Sequence, residues 1–423
     1  MGNLIRQYWI PALISTELPL VDGPPLRVRL LGENLIAFRS TSGQVGLVSQ
    51  SCPHRGASLF FGRNQEDGLR CAYHGWKFDR EGRCVDMPNE SPECSFKDKI
   101  RLRSYACQER NGVIWAYLGP RQDPPPLPAF EWNLQPDNVP FFWRNYRACN
   151  WVQALEGDVD SSHINHLHAT LDSEDYSTVP GRQVPGFTYR QLPLVHHKPA
   201  PKIEVEDTEC GVIYGACRNL DGERDYWRVH PFLLPFHTMV GGGVEENEVS
   251  FNGKAWVPMD DEHTLVFEWH YRPDKLWSQE ERDELMRVRN PWGFLPVTTE
   301  PGGAWMPKAN AGNDYFLDHE LQRIKLTLGI ISNPLQDAAM QESMGAIYDR
   351  TQEHLGPADA MIIRVRRRLM QAARDLQTDG KVPPGVDKPA LYTVRPVGAI
   401  LAPGDDWIAA TQERRQAIGT VPS

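Results

Sequence analysis

From Leu26 to Tyr117 the chain runs in short bursts of alternating apolar and polar residues, cut by tight-turn residues. Leu26–Leu31 and Leu35–Arg39 flank a break at residues 32–34, and Val45–Val48 follows Ser42 and Gly43. Val113–Leu118 follows Asn111 and Gly112, a strong hairpin signal, and Asp79 to Gly82 marks a further turn. This alternation predicts a small all-β domain over about residues 20–125. It ends at Gly119–Pro128, where five prolines predict a stiff, extended connector.

Beyond the connector helix and strand mix. Asn150–His168 reads as helix, at least in its first part. Gly211–Cys217, Tyr226–Leu234, Lys254–Val257 and Leu265–Tyr271 read as strands. Ser278 and Glu281 form a capping box at the head of a charged helix, Gln279–Val288. The pattern from Asp318 to about Leu376 is mostly helical, with interruptions near Asn333–Pro334 and Gly356–Pro357. The Pro/Gly-rich tail from Pro383 is expected to wrap a surface. The reading is a two-domain α+β protein, with residues 126–423 as the second domain and residues 1–19, including Tyr8–Pro11, packed on it.

Composition narrows the function classes. A chain of 423 residues with 40% hydrophobic and 24% charged residues can bury a core and is not globally disordered. A net charge of −10 argues against a general nucleic-acid binder, which needs a basic face. It leaves room for an anionic small molecule held by a local arginine. The start MGNLIRQYWIPALIS lacks the features of a signal peptide, and no apolar run is long enough to cross a membrane, so a cytoplasmic protein is expected. The eight cysteines are then reduced thiols or metal ligands.

Two clusters of residues carry candidate chemistry. Cys52-Pro-His54 and Cys71-Ala-Tyr-His74 form C-x-H and C-x-x-H, with residues 55–70 between them. Two thiolates and two imidazoles hold either a tetrahedral zinc or a Rieske [2Fe–2S] cluster, and spacing alone leaves both open. Cys84, Cys94, Cys107, Cys149, Cys210 and Cys217 have no ligand spacing and read as core thiols. The second cluster is Asp160, His163, His166 and His168. A mononuclear non-heme iron site takes two histidines and one carboxylate on one face of the metal. On a helix His163 and His166 share a face, whereas His163 and His168, five apart, do not.

CPHRGASL followed by CAYHGWKFD resembles the Rieske non-heme iron ring-hydroxylating oxygenases, and so does Asp160-Ser-Ser-His163-Ile-Asn-His-Leu-His168, which fits their D-x-x-H-x-x-x-x-H. The likeness runs from about Arg6 to Arg368 and is nearest to the phthalate 4,5-dioxygenase branch. It implies an N-terminal Rieske domain and a catalytic helix-grip domain, an antiparallel sheet with covering helices. Cys52 and Cys71 would ligate one cluster iron, His54 and His74 the other, with Gly56, Gly75 and Trp76 shaping the loops. His163 and His168 would hold the mononuclear Fe(II), which requires the helix to end or distort between them, for instance at a π-bulge. His166 is then an ordinary exposed or packed residue. Asp337, in Gln336-Asp337-Ala-Ala-Met-Gln-Glu-Ser-Met344, would be the carboxylate ligand, leaving Glu342, Asp349 and Glu353 as a solvated face.

The resemblance also implies a relay. Asp160 would bridge His163 to His74 of the partner subunit in a homotrimer or a stacked pair of trimers. Electrons would start on NAD(P)H and arrive through a separate flavin/iron–sulfur reductase, since the chain has no GxGxxG fingerprint of its own. With O2 they would dihydroxylate a phthalate-like aromatic carboxylate. The alternative is a monooxygenase, an aryl hydroxylase or O-demethylase. Arg228 and Arg190 fall near the anion-binding positions of the phthalate-type enzymes, and Ser161 adds a hydroxyl. Trp151, Val152, Phe232 and Trp269 are candidate apolar walls that serve equally well as core.

Overall fold

The computed structural model describes residues 2–135, 139–171, 200–240 and 250–417. The first strands are β1 (Trp9–Ile14), β2 (Leu26–Leu30), β3 (Glu33–Arg39), β4 (Val45–Ser49), β5 (Arg63–Gln65), β6 (Gly68–Arg70), β7 (Lys77–Phe78), β8 (Cys84–Asp86), β9 (Ser104–Arg110) and β10 (Val113–Tyr117). They form a six-stranded antiparallel sheet, in the order β1-β10-β9-β4-β3-β2, and a four-stranded one, β5-β6-β7-β8. The hairpin read at Asn111–Gly112 is present, and both residues take positive φ, as a tight turn requires.

The N-terminal residues join both halves. Trp9–Ile14 pairs with Val113–Tyr117 as an edge strand of the first sheet. Tyr8 Oη donates to the Pro384 carbonyl at 2.9 Å. Glu17 accepts from Arg144 Nη1 at 2.8 Å and from Trp305 Nε1 at 2.9 Å, both in the second half. One apolar core runs without a break from Leu4 through Trp115 to Phe267 and Leu369.

The second half is built on an eight-stranded antiparallel sheet. Its strands are β11 (Phe141–Arg147), β12 (Lys202–Thr208), β13 (Gly211–Asn219), β14 (Asp225–Leu233), β15 (His237–Val240), β16 (Phe251–Pro258), β17 (Thr264–Tyr271) and β18 (Val397–Leu401). The order is β11-β17-β16-β15-β14-β13-β12, with β18 also paired to β14. The tail therefore does more than wrap a surface, because Val397–Leu401 adds a strand against residues 225–229. Helices Trp151–Asp158, Gln279–Arg289, Asn333–Ser343 and Ala360–Asp379 cover this sheet. The capping box is formed: Ser278 Oγ accepts from the Glu281 amide, and Glu281 accepts from the Ser278 amide. Sheet, helices and all-β N-terminal half make the architecture α+β. Among the described residues no helix is long and apolar enough to cross a membrane.

A cluster of charges lies on β16 and β17, near one edge of the sheet. Glu268 lies directly across from Lys254. It accepts from Asn145 Nδ2 at 2.6 Å and from Arg289 Nη2 at 2.8 Å. Burial alone would raise the Glu268 carboxyl, but Arg289 and Lys254 overrule it and hold it at about 2. The folded value lies under the ordinary 4.5, so this stabilisation is complete above pH 4.5 and drains away as pH falls toward 2. Glu268→Gln should cost about 3 kcal/mol at neutral pH, lowering the thermal midpoint by several degrees. Melts at stepped pH check this, and the gap between variant and parent should narrow below pH 4.5.

Candidate active site

The two cysteine–histidine pairs sit on matched turns. Gly56 N donates to the Cys52 carbonyl at 2.9 Å, and Gly75 N donates to the Cys71 carbonyl at 3.0 Å. Each turn closes with the cysteine amide donating at 2.8 Å, Cys52 to Ala57 and Cys71 to Trp76. Gly56 and Gly75 both take φ near +80°, which a side chain would strain. The turns bring the His54 and His74 rings to 4.4 Å between centroids, with Trp76 stacked on His54 at 4.5 Å. Burial pushes the Cys52 thiol up to about 11, with Cys71 beside it adding to the rise. A thiol so placed loses its proton readily only when a cation binds the sulfur. His54 Nδ1 is buried and has no hydrogen-bond partner in the described structure. Two converging thiols and two converging imidazoles, one with an orphaned nitrogen, fit a cluster held by Cys52, Cys71, His54 and His74.

The second centre depends on where a helix stops. Asn150 caps its start, accepting from the Val152 amide at 3.0 Å. The helix runs only from Trp151 to Asp158, well short of His168. Asp158 is gripped by Lys254 Nζ and Thr238 Oγ1, and Trp256 Nε1 backs Thr238 at 3.0 Å. The chain then turns loosely through residues 159–162 and tightens into a 3-10 turn at His163–Asn165. The helix therefore ends before both histidines rather than between them, and a 3-10 turn, not a π-bulge, bends the chain from His163 toward His168.

The result brings His163 Nε2 to 3.2 Å from His168 Nε2, and Asp337 Oδ1 to 3.1 Å from His168 Nε2 and 3.7 Å from His163 Nε2. A metal about 2.1 Å from each of three donors at right angles would space them by about 3 Å. Apart from the two cysteine–histidine turns, these three side chains bring their donors together for a metal among the described residues. Their second nitrogens are already used. His163 Nδ1 faces Asp160 Oδ2 at 3.3 Å, and His168 Nδ1 meets Gln336 Oε1 at 2.7 Å. Gln336 Nε2 in turn donates to the Ile330 carbonyl at 2.6 Å, which fixes the amide's direction. The donor set fits an iron held by two histidines and one carboxylate. Burial would raise the Asp337 carboxyl, but His168 and His163 hold it well below the usual range. Asp160 is likewise held low against its burial, by His163 and by Ser162, whose amide and hydroxyl both donate to Oδ1.

The other expected residues divide. His166 is exposed and outside the converging group. Ser161 is buried next to Asp160 and Arg228 is buried in β14, while Arg190 lies outside the described residues. Trp151, Phe232 and Trp269 belong to the main core, with Val152 packed against it. Three contributors escaped the sequence reading: Gln336, Lys254 and Arg218. Arg218 Nη2 donates to the Ser161 carbonyl at 3.0 Å and to Asn165 Oδ1 at 2.7 Å, tying the iron loop to the sheet. An arginine closing the apolar run Gly211–Cys217 was its signal, since such a charge must find partners.

Known families match the chain along both of its halves. Residues 8–106 match the family described as Rieske [2Fe-2S] domain, and residues 116–419 match the one described as LigXa C-terminal domain like. The chain is 39% identical to the 3-chlorobenzoate-3,4-dioxygenase oxygenase subunit of Comamonas testosteroni, over 99% of this chain and 95% of that one. It is 32% identical to the phthalate 4,5-dioxygenase oxygenase subunit of Pseudomonas putida, over 96% and 90%. It is 30% identical to the 5,5'-dehydrodivanillate O-demethylase oxygenase subunit of a Sphingobium strain, over 92% and 79%.

The geometry separates the histidines by experiment. His163→Ala should lose the mononuclear iron while the two cluster irons stay, and His166→Ala should keep all of them. Iron quantification alongside the cluster's visible absorption checks this.

Proposed function

Because the chain belongs to the Rieske aromatic-ring oxygenases, with a LigXa-type C-terminal domain, we propose that it dihydroxylates the ring of an aromatic carboxylate, using O2 and electrons delivered by a separate reductase. The observation that carries the reading is the convergence of His163, His168 and Asp337 on one point, in a chain that matches aromatic-acid dioxygenases along nearly its whole length. When bound, the cluster supplies electrons one at a time and the mononuclear iron activates O2.

The chain's own residues orient and insulate. Asp160 holds His163 by Nδ1 and Gln336 holds His168 by Nδ1, so both imidazoles present Nε2 to the metal. Ser162 occupies Asp160 Oδ1, which leaves Oδ2 as the oxygen that serves His163 and, in a homotrimer, would also reach His74 of the partner subunit. The half-exposed His74 and the exposed Tyr73 beside it suit such an interface. Arg228, with Arg190 and Ser161, serves as the anion anchor, since a guanidinium makes paired bonds to a carboxylate. The buried walls around the site keep water from the ring.

A second reading is a monooxygenase, an aryl hydroxylase or O-demethylase, which the O-demethylase relative favours. It uses the same ligands. Turnover with 18O2 and an aromatic acid separates the two: a cis-dihydrodiol carrying two labelled oxygens supports the first. One labelled oxygen, in a phenol or with formaldehyde released, supports the second.

Asp160→Asn should keep iron content and fold yet lower turnover by at least about 10- to 100-fold. Steady-state assays with a surrogate reductase, alongside metal analysis, test it. Arg228→Met should raise KM for a carboxylated substrate by about 10- to 100-fold. An unchanged KM there removes Arg228 from the anchor.

A further inference from the structure

Strands β13 and β14 carry a polar face that the metal centre does not use. Their register sets Tyr214 opposite His230, Ala216 opposite Arg228 and Arg218 opposite Tyr226. Residues directly opposite, and alternate residues along each strand, point to the same side. The other side is closed, because Ile213, Cys217, Trp227 and Val229 pack there against Val397, Ala399 and Trp407. The polar side meets the iron loop through Arg218, which donates to Ser161 and Asn165.

These side chains are buried but unsatisfied. Arg218 is 1% exposed and His230 3%. Tyr214 Oη, Tyr226 Oη, Arg218 Nε and Nη1, both ring nitrogens of His230 and Ser161 Oγ have no hydrogen-bond partner among the described residues. A buried donor left unmet is destabilising, and native proteins rarely keep several together without an occupant. Water can fill such a place. A buried cation whose described partners are a carbonyl and an amide oxygen asks for more, because neither offsets its charge. Burial, with Arg228 nearby, brings the Arg218 guanidinium down to about 10, so it is still charged at neutral pH. The His230 imidazole is held neutral by burial and stacks behind Tyr214 at 4.9 Å. Two guanidinium groups, Arg218 and Arg228, and two phenolic hydroxyls on one wall are complementary to an oxyanion.

We propose that Arg218, with the hydroxyls of Tyr214 and Tyr226, forms a subsite for an anionic oxygen substituent of the substrate, a carboxylate or a sulfonate. This rests on the reading of the chain as an aromatic-acid oxygenase. It deepens that reading by placing discrimination between acid and neutral analogue on the β13–β14 floor, in addition to Arg228. Arg218 holds the loop by Nη2 and meets the anion by Nε and Nη1.

The test is binding to the iron-loaded enzyme, by calorimetry, of benzoate, benzenesulfonate and neutral benzamide. The parent should prefer one of the two anions over benzamide, and which anion it prefers names the substituent. The double variant Tyr214→Phe with Tyr226→Phe keeps both rings and the cation. It should weaken the preferred anion by about 10-fold or more and leave benzamide within about twofold. Arg218→Gln should cut the anion-to-amide preference by about 10-fold or more, and Arg218→Lys should restore part of it, with iron content measured in each. A preference that survives all three variants and disappears only in Arg228→Met overturns the subsite while leaving the function standing. A parent that binds none of the three probes, or binds anion and amide alike, overturns both.

Discussion

Everything at the metal centre depends on stopping one helix at Asp158. Two residues five apart on a continuous helix point about 140° from each other. His163 and His168 could not then share a metal. The buried pair of Asp158 and Lys254 sits where the helix ends, and Thr238 holds the other carboxylate oxygen. The loop that follows is free to turn both imidazoles toward Asp337. The helix that carries Asp337 is tied to the first one, since Gln153 Nε2 donates to the Gln341 and Gly345 carbonyls, each at 2.8 Å. Breaking either tie would leave the three donors present but apart.

The two halves of the chain are not independent bodies on a linker. The N-terminal strand belongs to the first sheet by its backbone, yet Tyr8 and Glu17 bond into the second half. Trp9 Nε1 donates to the Pro125 carbonyl at 2.6 Å, which pins the proline-rich connector as well. The cluster domain is thus held in one pose against the catalytic domain of its own chain.

The sequence made the cluster turns legible because their ligand spacing comes with glycines that permit the left-handed backbone. It also showed β13, β14, β16 and β17, where apolar runs are long. It did not show β11, because Arg144, Asn145 and Arg147 interrupt the pattern. Their partners, Glu17, Glu268 and the Pro334 carbonyl, are distant in the chain. Strand β12 was hidden by Lys202, Glu204 and Glu206, charges that suit its place at the sheet's edge. Strand β18 was hidden by the proline and glycine around it. At the candidate metal centre, the residue types and the approach of His163 to His168 were readable through family resemblance. The early helix end was not, because the lysine that pairs with Asp158 at that end lies nearly a hundred residues downstream. Arg218 was missed by one position, since the strand was read as ending at Cys217 and in fact continues to Asn219.

Gln336 has one more consequence. Its amide is gripped at both ends, by a backbone carbonyl and by an imidazole, and flipping it would break both grips at once. The tautomer of His168, with its proton on Nδ1, is therefore decided by the polypeptide. The same grip keeps Nε2, and not Nδ1, of His168 turned toward Asp337 and His163.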